Sequence, residues 1–180
     1  MALEFDHINP RTRTTLNVGG LTKRLWAAAI EDFTTIGMKD EMDDPAATNS
    51  TIVEISDDHT FTGTKGFIRI PITRDSGTIE TTNNAERDTN GQLTTLKART
   101  PGMSSDTIAK FEQLQNADCI VLAEMFDGKI VQLGSKRAPA EVKYKFMSGN
   151  NESGYRGLEF EIKGFETTMQ VYTGTITEKS

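Results

Sequence analysis

A chain of 180 residues with 36% hydrophobic content and a net charge of -6 is long enough to bury a core without disulfides or metal. No window approaches the roughly 18 consecutive apolar residues of a membrane-spanning helix, and an acidic balance without a basic stripe argues against a protein that grips nucleic acid. Cys119 is the single cysteine, so no disulfide can form within the chain; its apolar neighbours predict a buried thiol and fit a reducing compartment.

The charge is uneven. Between Glu31 and Asp58, nine acidic side chains face only Lys39, so the rest of the chain is slightly basic. Residues 1–18 form a polar leader with Arg11, Pro10 and Arg13 and no hydrophobic period. The leader does not read as a secretory signal; it reads as a frayed terminus or an arm that docks on a neighbour. After Gly19-Gly20, residues 21–30 carry bulky residues around Trp26 and are expected to form a strand.

Residues 31–49 hold no sustained period and are expected to form a long acidic loop. Asp40, Asp43 and Asp44 lie in it, but their spacing does not supply the alternating oxygens and central glycine of a calcium loop. Residues 50–56 and 65–72 alternate and predict two strands, the second an edge or strand end because of Pro71. Asp58-His59 between them resembles half of a catalytic pair. With no serine elbow nearby, a structural turn histidine is the expected role.

Residues 78–100 predict a hairpin through Asp88-Thr89-Asn90-Gly91. Its outgoing strand is poor in large apolar residues, and two strands alone are marginal in water. The hairpin is therefore expected to protrude and to be buried by a partner chain.

Pro101-Gly102 stops that strand. Ser104 or Ser105 caps a helix over residues 104–116, with Asp106 in its first turn and Ile108, Phe111 and Leu114 on one face. The run 119–126 has one charge, Glu124, and predicts a central strand; Asp127-Gly128 turns it into a partner strand, 129–133, with one wetter face. Residues 141–147 and 158–165 alternate apolar and charged side chains, and 168–176 supplies a last strand. The expected fold is mainly β: an antiparallel β-sandwich or barrel of about nine strands with one flanking α-helix.

Chemical motifs are missing from the sequence. It holds no Gly-rich phosphate loop, no Gly-x-Ser-x-Gly and no zinc spacing. Glu159 and Glu161 are carboxylates on one strand face, which charge alternation explains without glycosidase chemistry. Asn49-Ser50-Thr51 and Asn151-Glu152-Ser153 match a glycosylation pattern that has no consequence without secretion. The expectation is a protein that is not an enzyme and needs no catalytic residue, cofactor or metal.

The order of elements resembles the tail-tube (major tail) proteins of bacteriophages. The residues that carry this are Gly19-Gly20-Leu21 leading to Trp26, Asn83-Asn84-Ala85-Glu86-Arg87, Gly102-Met103-Ser104 opening the helix, the stretch 117–133 with its Asp-Gly turn, and Gly157-Leu158 leading to Gly164-Phe165. The resemblance implies a single tail-tube-like domain over residues 1–180. Such subunits form rings, commonly hexameric, that stack into a channel through which DNA passes without specific binding.

The implied partners are copies of the chain itself and other virion tail proteins, with no membrane. The implied location is the virion tail, assembled in the host bacterial cytoplasm. Neck, terminator and baseplate rings share the fold and are the nearest alternatives, followed by a soluble β-barrel binding protein. The subunit contacts expected on this basis are Thr78, Ile79, Glu80, Arg87, Asn90, Leu93 and Leu96 in the hairpin. To these are added Arg11 and Arg13 in the leader and Asp40, Asp43 and Asp44 in the acidic loop. A negative channel wall is expected to let DNA slide.

Overall fold

Apolar alternation and short turns build two main sheets and a small two-stranded one. The computed structural model describes residues 20–41, 43–83, 91–102, 104–149 and 154–179. Its strands are β1 (Leu21–Ala29), β2 (Phe33–Thr35), β3 (Glu54–Ile55), β4 (Thr60–Phe61), β5 (Ile68–Pro71), β6 (Thr78–Asn83), β7 (Gln92–Pro101), β8 (Cys119–Met125), β9 (Ile130–Leu133), β10 (Glu141–Met147), β11 (Gly157–Glu166) and β12 (Gln170–Tyr172). The helix α1 spans Ser105–Gln115.

A six-stranded sheet runs β3-β12-β9-β8-β1-β5, a four-stranded sheet runs β10-β11-β7-β6, and β2 pairs with β4. The sheets do not close into a barrel, so the sandwich is the form the chain adopts.

The apolar run 119–123 is continuous because this part of β8 is buried on both faces. Cys119, Val121 and Ala123 face the core shared with the four-stranded sheet and α1, where Leu25, Leu133, Leu96, Phe160 and Phe111 meet them. Ile120 and Leu122 face a second cluster with Trp26, Ile55, Phe67 and Tyr172. A pleated strand alternates its side chains, so burial on both faces requires apolar residues at every position. Each fully buried leucine there contributes about 2 kcal/mol by area removed from water.

The second cluster is roofed by β2 and β4 and by the C-terminal segment. That segment clamps Phe67, which donates its N–H to the Thr177 carbonyl and accepts from the Lys179 N–H. At the opposite face, Gly164 lets β11 approach β9. A side chain there would meet the Gly134 nitrogen at 2.8 Å.

The helix begins where its cap predicts. Ser104 accepts the Thr107 N–H, and Lys110 pairs with Asp106 at 2.7 Å. Phe111 and Leu114 are buried. Phe111 lies 5.2 Å from the Phe160 ring and 5.7 Å from Tyr144, so the helix packs on the inner face of β10 and β11.

Several expectations change in detail. Among the described residues there are twelve strands rather than about nine, because strands of two or three residues leave no legible alternation. Residues 50–53 form turns, leaving only Glu54 and Ile55 in β3, which pairs parallel to β12. Residues 33–35 leave the acidic loop to form β2, since Phe33 stacks on Phe61 at 4.4 Å. Strand β9 has no wet face, because Val131, Gln132 and Leu133 are all buried.

The described strands of the hairpin do not stand apart from the sheet, and its turn, residues 84–90, lies outside the described residues. Its returning strand β7 lies inside the four-stranded sheet, paired with β11 on one side and β6 on the other. Its small residues Thr94, Ala98 and Thr100 pack beneath large neighbours, which is why it reads as too poor in apolar mass to belong to a core.

Candidate functional site

The feature that distinguishes the surface is the four-stranded sheet. Its strands are antiparallel throughout. Both outer strands, β6 and β10, have an edge with no partner strand among the described residues. Such edges carry rows of backbone donors and acceptors and are templates for pairing with another chain.

The other sheet is blunted by contrast. It ends in the two-residue β3 on one side, and on the other side Glu178 of the C-terminal segment bridges to Phe67 just before β5.

Alternation sends one set of side chains inward and the other into solvent. Ile79, Leu96, Phe160 and Val142 point to the core. Glu80, Lys97, Arg99, Glu159, Glu161, Lys163, Glu141, Lys143 and Lys145 lie on the opposite face. Five cations there, Lys97, Arg99, Lys143, Lys145 and Lys163, pair with three carboxylates, Glu141, Glu159 and Glu161, and Glu80 lies on the same face. Lys143 reaches Glu141 at 2.8 Å, Lys145 reaches Glu159 at 2.9 Å and Arg99 reaches Glu159 at 3.5 Å. Lys97 and Lys163 approach Glu161 at 3.8 and 3.7 Å. The hydrogen bond from Lys145 holds the Glu159 carboxyl below the ordinary carboxylate range, with Arg99 adding to it. At one end of this face the ring of Phe165 is 49% exposed, and its cross-strand partner is Leu93.

The expected contact residues fall into three groups. Thr78, Glu80 and Leu93 lie on the outer face of the four-stranded sheet, with Thr78 and Glu80 on its free edge strand. Ile79 also lies on the edge strand but turns its side chain towards the core. Leu96 is fully buried in the core, which corrects its place among the surface residues: the β7 positions alternate, and Leu96 falls on the inward set while Leu93 does not.

Asp40, Asp43 and Asp44 lie in the acidic loop. There the Asp40 N–H bonds the Thr51 carbonyl and Asp44 accepts the Ala46 N–H, so the loop is organised by turns. Arg11, Arg13, Arg87 and Asn90 lie outside the described residues.

His59 is a buried structural residue. Its Nδ1 accepts the Gly37 N–H at 3.1 Å, so Nε2 carries the proton and donates to Gln132 Oε1 at 2.9 Å. Its ring stacks on Tyr172 at 4.6 Å. Burial pushes the imidazole below its ordinary pKa, against the Gln132 bond and the Asp58 charge, which pull the other way. Sequence reasoning placed the histidine in a turn; what it missed is that this turn folds back under the sheet.

Burial likewise pushes the Cys119 thiol up to about 11, so it stays protonated and inert. Among the described residues no group of three or more His, Cys, Asp or Glu side chains is arranged to hold a metal, and no helix is long and apolar enough to cross a membrane.

In comparisons with known proteins, the chain matches no family model, no curated protein and no solved structure.

Proposed function

We propose that this chain is a structural subunit that closes into rings through the free edges β6 and β10, and that the rings stack as the tail tube of a bacteriophage. The single observation that supports the ring is the four-stranded antiparallel sheet whose outer strands β6 and β10 have no further strand beside them among the described residues, apart from a bridge between Ala140, at the entry to β10, and Cys119. An even number of alternating strands makes β6 and β10 run in opposite directions. When copies are related by rotation, the β10 of one copy therefore meets the β6 of the next antiparallel. The ladder continues without a break. This contact is heterologous, as ring closure requires.

The outer face of the sheet then becomes the channel wall. Its cations are matched by carboxylates, so it offers few free positive charges for phosphate to bind. DNA passes such a wall without gripping it. Near-balance of charge, rather than the negative wall expected from the net charge, supplies this property. The acidic excess lies instead in the stretch from Glu31 to Asp58, outside that sheet. The tube assignment, as opposed to a neck, terminator or baseplate ring, rests on the resemblance in element order.

Electron microscopy of the purified protein over a range of concentrations tests the ring. Annular particles or tubes are the expected result. A chain that remains monomeric at high concentration, by sedimentation as well as by microscopy, removes the proposal and favours a soluble binding protein.

A further inference from the structure

The two edge strands of the four-stranded sheet each carry a side chain that its own sheet leaves incomplete. On β6, Glu80 is exposed and its cross-strand neighbour is the uncharged Thr95. Among the described residues it is the one carboxylate of the outer face that stands outside the ion pairs. On β10, Phe146 lies on the inner side with its cross-strand partner Leu158. Leu158 is fully buried, yet Phe146 is 44% exposed, because β10 is the last strand and only one of its flanks is covered.

Strand length and face narrow the ways in which two copies can pair. Strand β6 has six residues and β10 has seven. In an antiparallel pair, residues directly opposite share a face, and a slip of one residue turns inner positions outward. Val142, Tyr144 and Phe146 are the inner residues of β10, and Ile79 is an inner residue of β6. Glu80 lies on the outer face with Lys143 and Lys145. With inner residues kept opposite inner ones, a single alignment uses the whole of β6 against β10. It sets Ile79 opposite Phe146 and Glu80 opposite Lys145.

We propose that neighbouring copies join in this register, with Glu80 of one copy paired to Lys145 of the next and Ile79 covering Phe146. The inference rests on the ring closure proposed above and names the residues that make it. The chemistry of both faces agrees with it. Arg99, Glu159 and Lys145 already form a rung across β7, β11 and β10. Glu80 of the next copy extends that rung, so that charge alternates in sign across the junction. On the inner face, two partly covered apolar side chains shield each other. The alignment two residues away sets Glu80 against Lys143 but leaves Phe146 beyond the start of β6. It also places Ala140 against Asn83, whereas Ala140 donates its N–H to the Cys119 carbonyl.

Paired cysteines test the register. Glu80, Lys143 and Lys145 are exposed, and the one native cysteine, Cys119, is buried. Opposite residues in a sheet have Cα atoms about 4.5–5.5 Å apart, within disulfide reach, while diagonal neighbours lie about 7–8 Å apart. The double variant Glu80→Cys with Lys145→Cys is oxidised with glutathione disulfide at a concentration where wild type forms rings. A ladder of covalent oligomers on a non-reducing gel is the expected result. Glu80→Cys with Lys143→Cys is expected to stay largely monomeric on the same gel. Phe146→Ser should keep a cooperative melt and raise the concentration needed for rings by about tenfold.

A ladder from the Lys143 pair and none from the Lys145 pair overturns the register and leaves the ring standing. Phe146→Ser that assembles like wild type does the same. Wild-type rings with no ladder from either pair overturn the edge contact and its register, while the ring itself survives. Wild type that forms no rings removes the ring and the register together.

Discussion

The six-stranded sheet buries both of its faces, whereas the four-stranded sheet buries one and gives the other to ion pairs. The first also ends in a very short strand and in an edge beside the C-terminal segment, while the second ends in β6 and β10, whose outer edges meet no further strand among the described residues. A single chain thus keeps one sheet for stability and presents the other to the outside. An unpaired edge is a hazard in a monomer, and natural sheets usually cover or interrupt it. Its retention on the four-stranded sheet is what supports the proposed ring contact there.

Substitutions within this contrast should separate folding from assembly. The largest effect is expected from Leu96→Asp, which places an unpaired carboxylate in the shared core. A loss on the order of 5 kcal/mol, enough to unfold a marginally stable domain, should appear as loss of the cooperative thermal transition. Leu93→Asp, three positions away on the outer face, should leave the melt nearly unchanged and suppress rings in the microscope. If both variants unfold the monomer, the division between the two faces fails at β7.

Next in size is Leu122→Ala in the doubly buried β8. A cavity there should cost about 2–5 kcal/mol by denaturant titration, with ring formation by the remaining folded protein unaffected.

A pH titration probes the roof of the six-stranded sheet. The folded state holds His59 below its ordinary value of 6.5, so the unfolded chain takes up a proton that the folded chain refuses. Stability from this group is complete above pH 6.5 and falls as the pH drops through that value. His59→Gln should remove this first part of the loss. It should leave a later part below about pH 4.5, which belongs to Glu141, Glu159 and Glu178, whose carboxyls are held low by Lys143, by Lys145 and by Trp26 with Arg69. A melting temperature that falls equally in both proteins between about pH 7 and 5 would dismiss His59 as the titrating group.

The smallest effect belongs to the charged face. Lys145→Ala removes an exposed partner of Glu159 and should change stability by less than about 1 kcal/mol. A larger loss would mean that the lattice holds the sheet together rather than merely facing solvent.

Much of this fold is legible in the sequence. The helix cap at Ser104, the stripe through Phe111 and Leu114, and the alternation of β10 and β11 depend on neighbours three, four or two residues away, and local pattern reports them directly. The candidate site is legible only in part. The hairpin drew attention because its apolar content is low, and its outgoing strand is indeed a free edge. Nothing in the spacing of β7 tells that β11 takes its other side, and so Leu96 seemed as available as Leu93. The Oε1 atoms of Gln92, Glu166 and Gln170, buried without a hydrogen-bond partner among the described residues, carry no signal at all, since these are ordinary polar residues until two sheets bring them together.

The sequence by itself determined which segments are strands or helix, which face of most strands is apolar, and that the thiol and the turn histidine are structural. Only the tertiary structure decided which strands are central and which are edges. Strand pairing joins residues far apart in the chain, and an edge is defined by the partner that does not come. Tertiary packing also decided where the charge lies: it moved the acidic excess away from the four-stranded sheet and left that sheet a nearly balanced face.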